Sequence, residues 1–367
     1  MERPRIGIVG SAGAYGRWLR RFFVERMGLD VLGSDPGDPH ADTPDSLVER
    51  CDVLLFAAPI RHTVAIIEQY AALSAGREAG RLWLDVTSIK TAPVETMLRS
   101  RAEVVGLHPM TAPPKTPTLK GRVLVVCEAR LDRWRGWLAT LLATLEAECV
   151  RATAAQHDRM MALVQAQVHA LHLAQAGVIA QAVGEAGLDA VLPFRSASFE
   201  MDAAILSRIL SLNPAIYEDI QFGNPAAAEL LDALLARLGL LRDLVARGDD
   251  AARAEFRTEF LDVPRTRLGD PALRAGNHRF EQLGYLLADL ADARTLSVHL
   301  PQDRPGALRA LLAAFERHGL NIASLHSSRT PAGEVHFRFG FDGATSAEDL
   351  AAVARAIEAD GIGHALG

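Results

Sequence analysis

Arg5-Ile6-Gly7-Ile8-Val9-Gly10-Ser11-Ala12-Gly13-Ala14-Tyr15-Gly16 is the stretch that decides the fold. Ile6 to Val9 reads as a short buried strand, and a run of small residues comes next. Trp18, Leu19, Phe22 and Phe23 then recur at the spacing of one helix face. Strand, glycine turn and helix in that order build a pyrophosphate site. Small residues let the backbone approach the phosphates, and the helix N-terminus supplies free N–H groups and a favourable dipole. Against the pattern G-x-G-x-x-G, Ser11 holds the first glycine position, with Gly13 and Gly16 at the second and third. Gly10, Ser11, Ala12, Gly13, Ala14, Tyr15 and Gly16 are therefore the expected cofactor-binding turn.

The next strand, about residues 30–34, ends at Asp35. A carboxylate at that tip accepts hydrogen bonds from the adenosine ribose and repels a 2′-phosphate, which favours NAD over NADP. Further strands are expected at Val53–Ala58, Leu82–Asp85, Val104–Leu107 and Val123–Cys127, most of them separated by helical segments. That alternation predicts an α/β, doubly wound, mainly parallel Rossmann-type sheet. Ligands bind such sheets outside the carboxyl ends of the strands. Pro59, Asp85, Ser88 and His108 all fall there, and Pro59 joins the cofactor set. An acid/base histidine and a hydroxyl at the rim of a dinucleotide sheet point to hydride transfer from a substrate that must also lose a hydroxyl proton.

The 367 residues suffice for two or three domains. A 49% hydrophobic and 23% charged composition is that of a globular protein, and a net charge of −6 argues against nucleic acid as partner. No polybasic run offers itself to an anionic membrane, and no apolar run approaches the roughly 20 residues that span a bilayer. Cys51, Cys127 and Cys149 are scattered, without metal-ligand spacing, and read as reduced thiols. Met1-Glu2-Arg3-Pro4 shows no signal-peptide pattern. The expected location is cytoplasmic.

After about Arg151 strand signals stop. Thr153 to about Gly187 lacks proline and reads as one long helix, with His157, Met161, Gln165, His169 and His172 spaced by three or four along one face. More helices are expected at Phe194–Leu210, Pro214–Gly223 and Ala226–Arg247, with others to about Asp292. So many apolar faces on an all-helical segment need a cover, and a homodimer supplies one. Arg208 precedes Asn213-Pro214 and Tyr217, and a guanidinium there suits a carboxylate.

Taken in order, these pieces resemble the prephenate dehydrogenase family, which includes arogenate and cyclohexadienyl dehydrogenases. The resemblance rests on Gly10–Gly16, Asp85-x-x-Ser88-x-Lys90, Gly106-Leu107-His108-Pro109-Met110, and His157-Asp158 with His169 twelve residues on. It ends with Arg208, Asn213-Pro214, Tyr217, Asp219-Ile220 and Asn224. It implies that His108 is the catalytic histidine bonding the ring 4-hydroxyl, and that Ser88 orients that histidine or the substrate. It also implies that Arg208 binds a prephenate carboxylate and that His169, with Tyr217, lines the substrate pocket. The implied reaction sends hydride from C4 to NAD⁺ as His108 takes the hydroxyl proton, and the ring carboxylate leaves as CO₂. Departures from the family are Ser11 and the run Thr111-Ala112-Pro113-Pro114-Lys115 in place of a glycine-containing loop. That loop leaves arogenate and 4-amino-4-deoxyprephenate open as substrates.

From about Ala293 the pattern becomes β-α-β-β-α with a short final strand near Gly363–Leu366, a ferredoxin-like α+β unit. A hairpin is expected around Pro331-Ala332-Gly333. Pro305-Gly306-Ala307-Leu308 and Leu320-Asn321-Ile322 resemble an ACT domain. The resemblance implies an amino-acid effector bound near Gly306, Ala307, Leu308, Asn321, Ile322 and Ser327, with tyrosine first and phenylalanine second. Where the aromatic-amino-acid-binding members have Glu-Ser-Arg, this chain has His326-Ser327-Ser328 with Arg329 one place late, so a domain that only dimerises is the alternative. The expected domains are 1–151 for nucleotide, 152–292 for substrate and dimerisation, and 293–367 for regulation.

Two rivals stay in view. A β-hydroxyacid dehydrogenase would use a helical lysine, and no lysine occurs between Arg151 and Asp292. A sensor that has lost catalysis would be expected to have lost His108 or Arg208, and both are present. No helix-turn-helix or basic patch supports a transcriptional role.

Overall fold

The computed structural model describes residues 3–291, 294–300, 304–329 and 335–366. The expected hairpin tip at Pro331-Ala332-Gly333 lies outside them. The chain divides into two compact units, Met1–Leu240 and Leu241–Gly367.

The first unit is built on seven strands: β1 (Ile6–Val9), β2 (Val31–Ser34), β3 (Val53–Phe56), β4 (Leu82–Asp85), β5 (Glu103–Pro109), β6 (Val123–Arg130) and β7 (Glu148–Arg151). Their order is β2-β1-β3-β4-β5-β6-β7, with β5 and β6 antiparallel and every other pair parallel. The reversal of strand order beside β1 is the switch point at which such sheets bind ligands. Successive residues of β3 alternate between two cores: Val53 and Leu55 join one, Leu54 and Phe56 the other. Apolar cover on both faces explains the near-continuous hydrophobic strands.

Helices α1 (Ala14–Arg21), α2 (Pro44–Arg50), α3 (Ile60–Ser74), α4 (Thr91–Leu98) and α5 (Arg135–Leu145) belong to this sheet. Then come α6 (Ala154–Met161), a π-helical turn (Ala162–Ala166) and α7 (Gln167–Val183), where the sequence predicts one unbroken helix to about Gly187. The extra residue in the turn shifts the register of α7 relative to α6, so the three-and-four spacing from His157 to His172 does not keep one face throughout. Gln221 Nε2 donates to the Ala166 carbonyl of this turn at 2.7 Å. Next are α8 (Ala197–Ser211), α9 (Pro214–Gly223) and α10 (Ala227–Arg247). Proline at its first position and the Asn213 side chain on the Ala215 N–H start α9 where the sequence predicts it.

In the second unit α11 (Asp250–Phe256), α12 (Val263–Leu268) and α13 (Asp270–Ala291) precede an antiparallel sheet of β8 (Thr295–Leu300), β9 (Ile322–Arg329), β10 (Val335–Phe341) and β11 (His364–Leu366). The order is β11-β8-β10-β9, and α14 (Ala307–Arg317) and α15 (Ala347–Ala359) complete the unit. Val298, Phe339 and Phe341 of the sheet share a buried core with Leu311, Phe315, Val353 and Ile357 of the two helices. Gly306 opens α14 with φ +93°, a conformation that suits glycine.

Candidate active site

The turn after β1 is a cradle fitted to a dinucleotide. Gly10 has φ +85°, and a Cβ there would lie 2.7 Å from the Ala57 carbonyl oxygen. A Cβ on Gly16 would clash with the Gly10 carbonyl oxygen, so α1 rests directly on the turn. The left-handed demand thus falls on Gly10, which is why Ser11 is accommodated one residue on. Gly10, Ala12, Gly13, Asp35 and Pro59 line a cavity of ≈ 970 Å³, the size of a ligand site. Asp35 accepts from the Ala12 N–H at 3.0 Å and the Gly37 N–H at 2.8 Å, which fixes its carboxylate at the cavity wall.

The remaining members of the expected turn serve its frame. Ser11 is buried against Gly33, where a Cβ would meet its Oγ at 2.6 Å. Ala14 and Tyr15 begin α1. The Tyr15 hydroxyl donates to the Thr111 carbonyl at 2.5 Å, and burial pushes its pKa up. Trp18 Nε1 donates to the Thr116 carbonyl at 2.9 Å, so the loop after His108-Pro109-Met110 is tied twice to the nucleotide helix.

His108 stands near the carboxyl end of β5, 3% exposed. Its Nδ1 lies 2.8 Å from His157 Nε2, and His157 Nδ1 lies 2.8 Å from Asp158 Oδ1. Asp158 also accepts the Lys90 and Thr91 N–H groups, each at 2.8 Å. A capping box of Thr153 and Gln156 starts α6 and sets His157 and Asp158 in its first turns. Asn224 Nδ2, just past α9, holds the Asp158 carbonyl at 2.9 Å. Burial would raise the Asp158 carboxyl, but its hydrogen bonds with His157, Thr91 and Lys90 outweigh burial and hold it below the usual range.

Burial, then the charges of His157 and Lys90, hold His108 well below the usual imidazole value, so its ring is neutral at pH 7. Lys90 is fully buried, donating to Asp85 and to the Leu107 carbonyl at 2.8 Å. A Cβ on Gly106 would meet Lys90 Cδ at 2.9 Å, so the glycine before Leu107-His108 makes room for this pair. Asp85 and Lys90 therefore anchor the strand that carries the histidine. Ser88 is half-buried on the loop between them, and His108 Nδ1 bonds His157 rather than Ser88.

A second cluster forms where α7, α8 and α9 meet. The rings of His169 and Tyr217 lie edge to face at 4.9 Å. Burial, then the charges of His172 and Arg208, lower the His169 pKa, which places the exposed Arg208 guanidinium nearby. The buried His169 Nδ1 and Gln165 Oε1 have no hydrogen-bond partner among the described residues. Among the described residues, no hydrogen bond or ring contact joins His108 to His169 or Arg208. Sequence alone assigns no role to His157, Asp158 or Arg61. For the first two a signal exists, an adjacent His-Asp pair just inside a Thr-x-x-Gln helix start.

In the second unit, Gly306, Ala307 and Leu308 form the start of α14. Asn321 directly precedes β9, which carries Ile322 and Ser327 at the sheet edge. Among the described residues, no group of three or more His, Cys, Asp or Glu could hold a metal ion, and no helix is long and apolar enough to cross a membrane.

Three family models match successive stretches of the chain. Residues 37–151 match the model of the prephenate dehydrogenase nucleotide-binding domain, 153–260 that of the prephenate dehydrogenase dimerization domain, and 294–361 that of the ACT domain. The chain is 28% identical over 258 residues to a T-protein of Enterobacter agglomerans, covering 68% of this chain and 64% of that one, so it spans less than two thirds of that relative. It is 31% identical over 278 residues to a 4-amino-4-deoxyprephenate dehydrogenase of Streptomyces pristinaespiralis, covering 71% of this chain and 90% of that protein. In fold it resembles a prephenate dehydrogenase from A. aeolicus, solved with hydroxyphenyl propionate and NAD⁺, at TM-score 0.56 and 15% identity over 73% of this chain and 99% of the other. Identity sustained across nine-tenths of one member, with two adjoining domain models in sequence order, means that this chain belongs to the prephenate dehydrogenase family and carries a C-terminal ACT domain.

Proposed function

We propose that the protein oxidatively decarboxylates prephenate to 4-hydroxyphenylpyruvate with NAD⁺. The carrying observation is His108: buried, neutral at pH 7, and, among the described residues, hydrogen-bonded through Nδ1 alone, so that Nε2 is left for a substrate hydroxyl. A bound nicotinamide supplies the hydride acceptor. His108 takes the 4-hydroxyl proton as C4 loses hydride, the bond to the ring carboxylate breaks, and its electron pair completes the aromatic ring as CO₂ leaves. Ser88 and Arg208 position the substrate, Arg208 by anchoring a carboxylate, since it stays charged. His169 and Tyr217 shape the far side of the pocket. Asp35 supports NAD over NADP, because its charge opposes a 2′-phosphate.

The proposed division is nucleotide binding in 1–151, substrate binding and dimerisation in 152–292, and effector binding in 293–367. Apolar side chains exposed on α7 and α9, Val178 at 67% and Phe222 at 91%, support a homodimer that covers them. We assign the ACT domain an aromatic amino acid, tyrosine first, and the protein a cytoplasmic location. The likeness to a 4-amino-4-deoxyprephenate dehydrogenase favours one second reading, in which an amine replaces the 4-hydroxyl.

NADH formation with prephenate, arogenate and 4-amino-4-deoxyprephenate, each with and without tyrosine, tests these assignments. A prephenate rate suppressed by tyrosine is expected. Turnover of the amino analogue alone would replace the substrate, and no turnover of any would overturn the activity.

A further inference from the structure

We propose that Asp158 and His157 form a relay behind His108 that keeps the proton on His108 Nδ1, leaves Nε2 as the basic nitrogen, and takes up charge once Nε2 is protonated. It rests on His108 being the base of the reaction above.

Proton placement along the chain of three side chains is fixed from its carboxylate end. His157 and Asp158 are each 1% exposed, so solvent cannot rescue a mismatched donor or acceptor. The Asp158 carboxylate already receives the Lys90 and Thr91 N–H groups and is ionised, so it accepts from His157 as well. When His157 holds a single ring proton, that proton therefore sits on Nδ1. Its Nε2 is then an acceptor, and the partner 2.8 Å away, His108 Nδ1, must donate. Neutral His108 has one ring proton, so Nε2 carries the lone pair. The opposite placement would set the bare His157 Nδ1 against a carboxylate 2.8 Å away.

The same chain accounts for the charge. When Nε2 gains the hydroxyl proton, His108 becomes an imidazolium whose Nδ1–H still points at His157 Nε2. Passing that proton on leaves His108 neutral and makes an imidazolium of His157 beside the Asp158 carboxylate, with no proton gained or lost by the protein. The other group facing His108 works against a charge there: Lys90, from the loop after β4, is held by Asp85. Cys127 on β6, near that pair, has its thiol raised to about 11 and stays neutral. The relay spreads positive charge away from Lys90.

His157 and Asp158 are positioning residues, and the test compares His157→Phe, His157→Gln and a His108→Asn control in the full-length protein. Gln can still accept from His108 Nδ1–H but cannot carry a proton onward. His157→Phe should lower kcat by roughly 10²-fold, with KM and NAD⁺ affinity kept. Its acid limb of kcat should move, since His157 both accepts from His108 Nδ1–H and sets the charge beside that ring. His157→Gln should recover part of kcat and restore the position of that limb. Nitrogen NMR of histidine-labelled wild-type protein should show His108 protonated at Nδ1 and bare at Nε2, a readout that needs no turnover. A His157→Phe enzyme with normal kcat and an unmoved limb, or a wild-type His108 protonated at Nε2, would overturn the relay and leave the base assignment standing. Normal turnover in His108→Asn would instead remove the base assignment.

Discussion

Arg61 reaches Asp219 across 158 positions of sequence, its backbone N–H 3.2 Å from Oδ2 and its Nε 2.5 Å from Oδ1. The same guanidinium donates through Nη2 to Glu218 at 2.9 Å and to the Ala215 carbonyl at 3.2 Å. Arg61 is the second residue of α3, directly after the Pro59-Ile60 step at the cofactor cavity. Asp219 lies on α9, between Tyr217 and the Asn224 that holds Asp158. Ile60, Ala166, Ile220 and Ala227 fill a small apolar core at the joint, and Gly223 packs so closely that a Cβ would meet Ile89 Cδ1 at 2.5 Å. One forked side chain thus links the cofactor cradle to the helix that steadies the histidine relay.

Lysine in place of Arg61 keeps the charge but loses the fork that serves three acceptors. Arg61→Lys is expected to speed hydrogen exchange of the α9 amides while those of β1, β3 and β4 exchange as before. Unchanged protection across α9 would show that the apolar core alone holds the joint.

Asp35 carries the nucleotide preference if its charge, rather than its turn geometry, is what matters. Asp35→Asn keeps an oxygen for the Ala12 or Gly37 N–H and removes the charge. The ratio of NADP⁺ to NAD⁺ affinity should rise by at least about tenfold, or ~1.4 kcal/mol. Titrations of both nucleotides by fluorescence or calorimetry decide it, and an unmoved ratio would relegate Asp35 to shaping the turn.

The Lys90–Asp85 pair should matter to folding far more than a surface ion pair. Both side chains are fully buried, so removing one strands the other's charge in the core. Lys90→Met is expected to cost about 3–5 kcal/mol in denaturant unfolding. Adding Asp85→Asn should return part of that loss, because no charge is then left unpaired. Gly106→Ala should destabilise by the same route, its methyl pressing on Lys90 Cδ and Val94 Cγ2, each at 2.9 Å. A Lys90→Met protein as stable as wild type would show that water or a shifted proton relieves Asp85.

Most of the sheet was legible because its strands are buried on both faces and read as apolar runs. β7 was not, since all four of its residues are exposed and an edge strand of that kind carries no apolar alternation. The cradle was legible from its small residues, but φ +85° at Gly10 shows that the left-handed residue is the one that leaves the strand. His108 could be found because an apolar strand ends near it. Its pairing with His157 could not, because that contact joins a strand end to a helix start 49 positions away. The π-helical turn also escaped, since periodicity assumes one register throughout. Asp85 and Lys90 were visible as a motif, while their burial as a pair depends on a glycine on the neighbouring strand.

Acid should unfold the protein partly through His108. Its folded pKa lies well below the ordinary value of about 6.5, because burial, His157 and Lys90 disfavour the imidazolium. Above about pH 6.5 neither state holds the extra proton, and this group leaves stability unchanged. Below it the unfolded chain takes up a proton that the folded chain refuses. Stability therefore falls with falling pH, by up to about 1.4 kcal/mol per pH unit, until the folded value is reached. His169 adds a loss of the same sign, its value lowered by burial and by the charges of His172 and Arg208. His108→Asn cannot titrate, and its amide can still donate to His157 Nε2. Denaturant midpoints between about pH 7.5 and about pH 5.5 should thus fall less steeply for His108→Asn than for the wild type, and His169→Asn should flatten the slope further. If His108→Asn kept the wild-type slope, the folded protein would be carrying His108 charged, and a base that is already protonated could not accept the substrate proton.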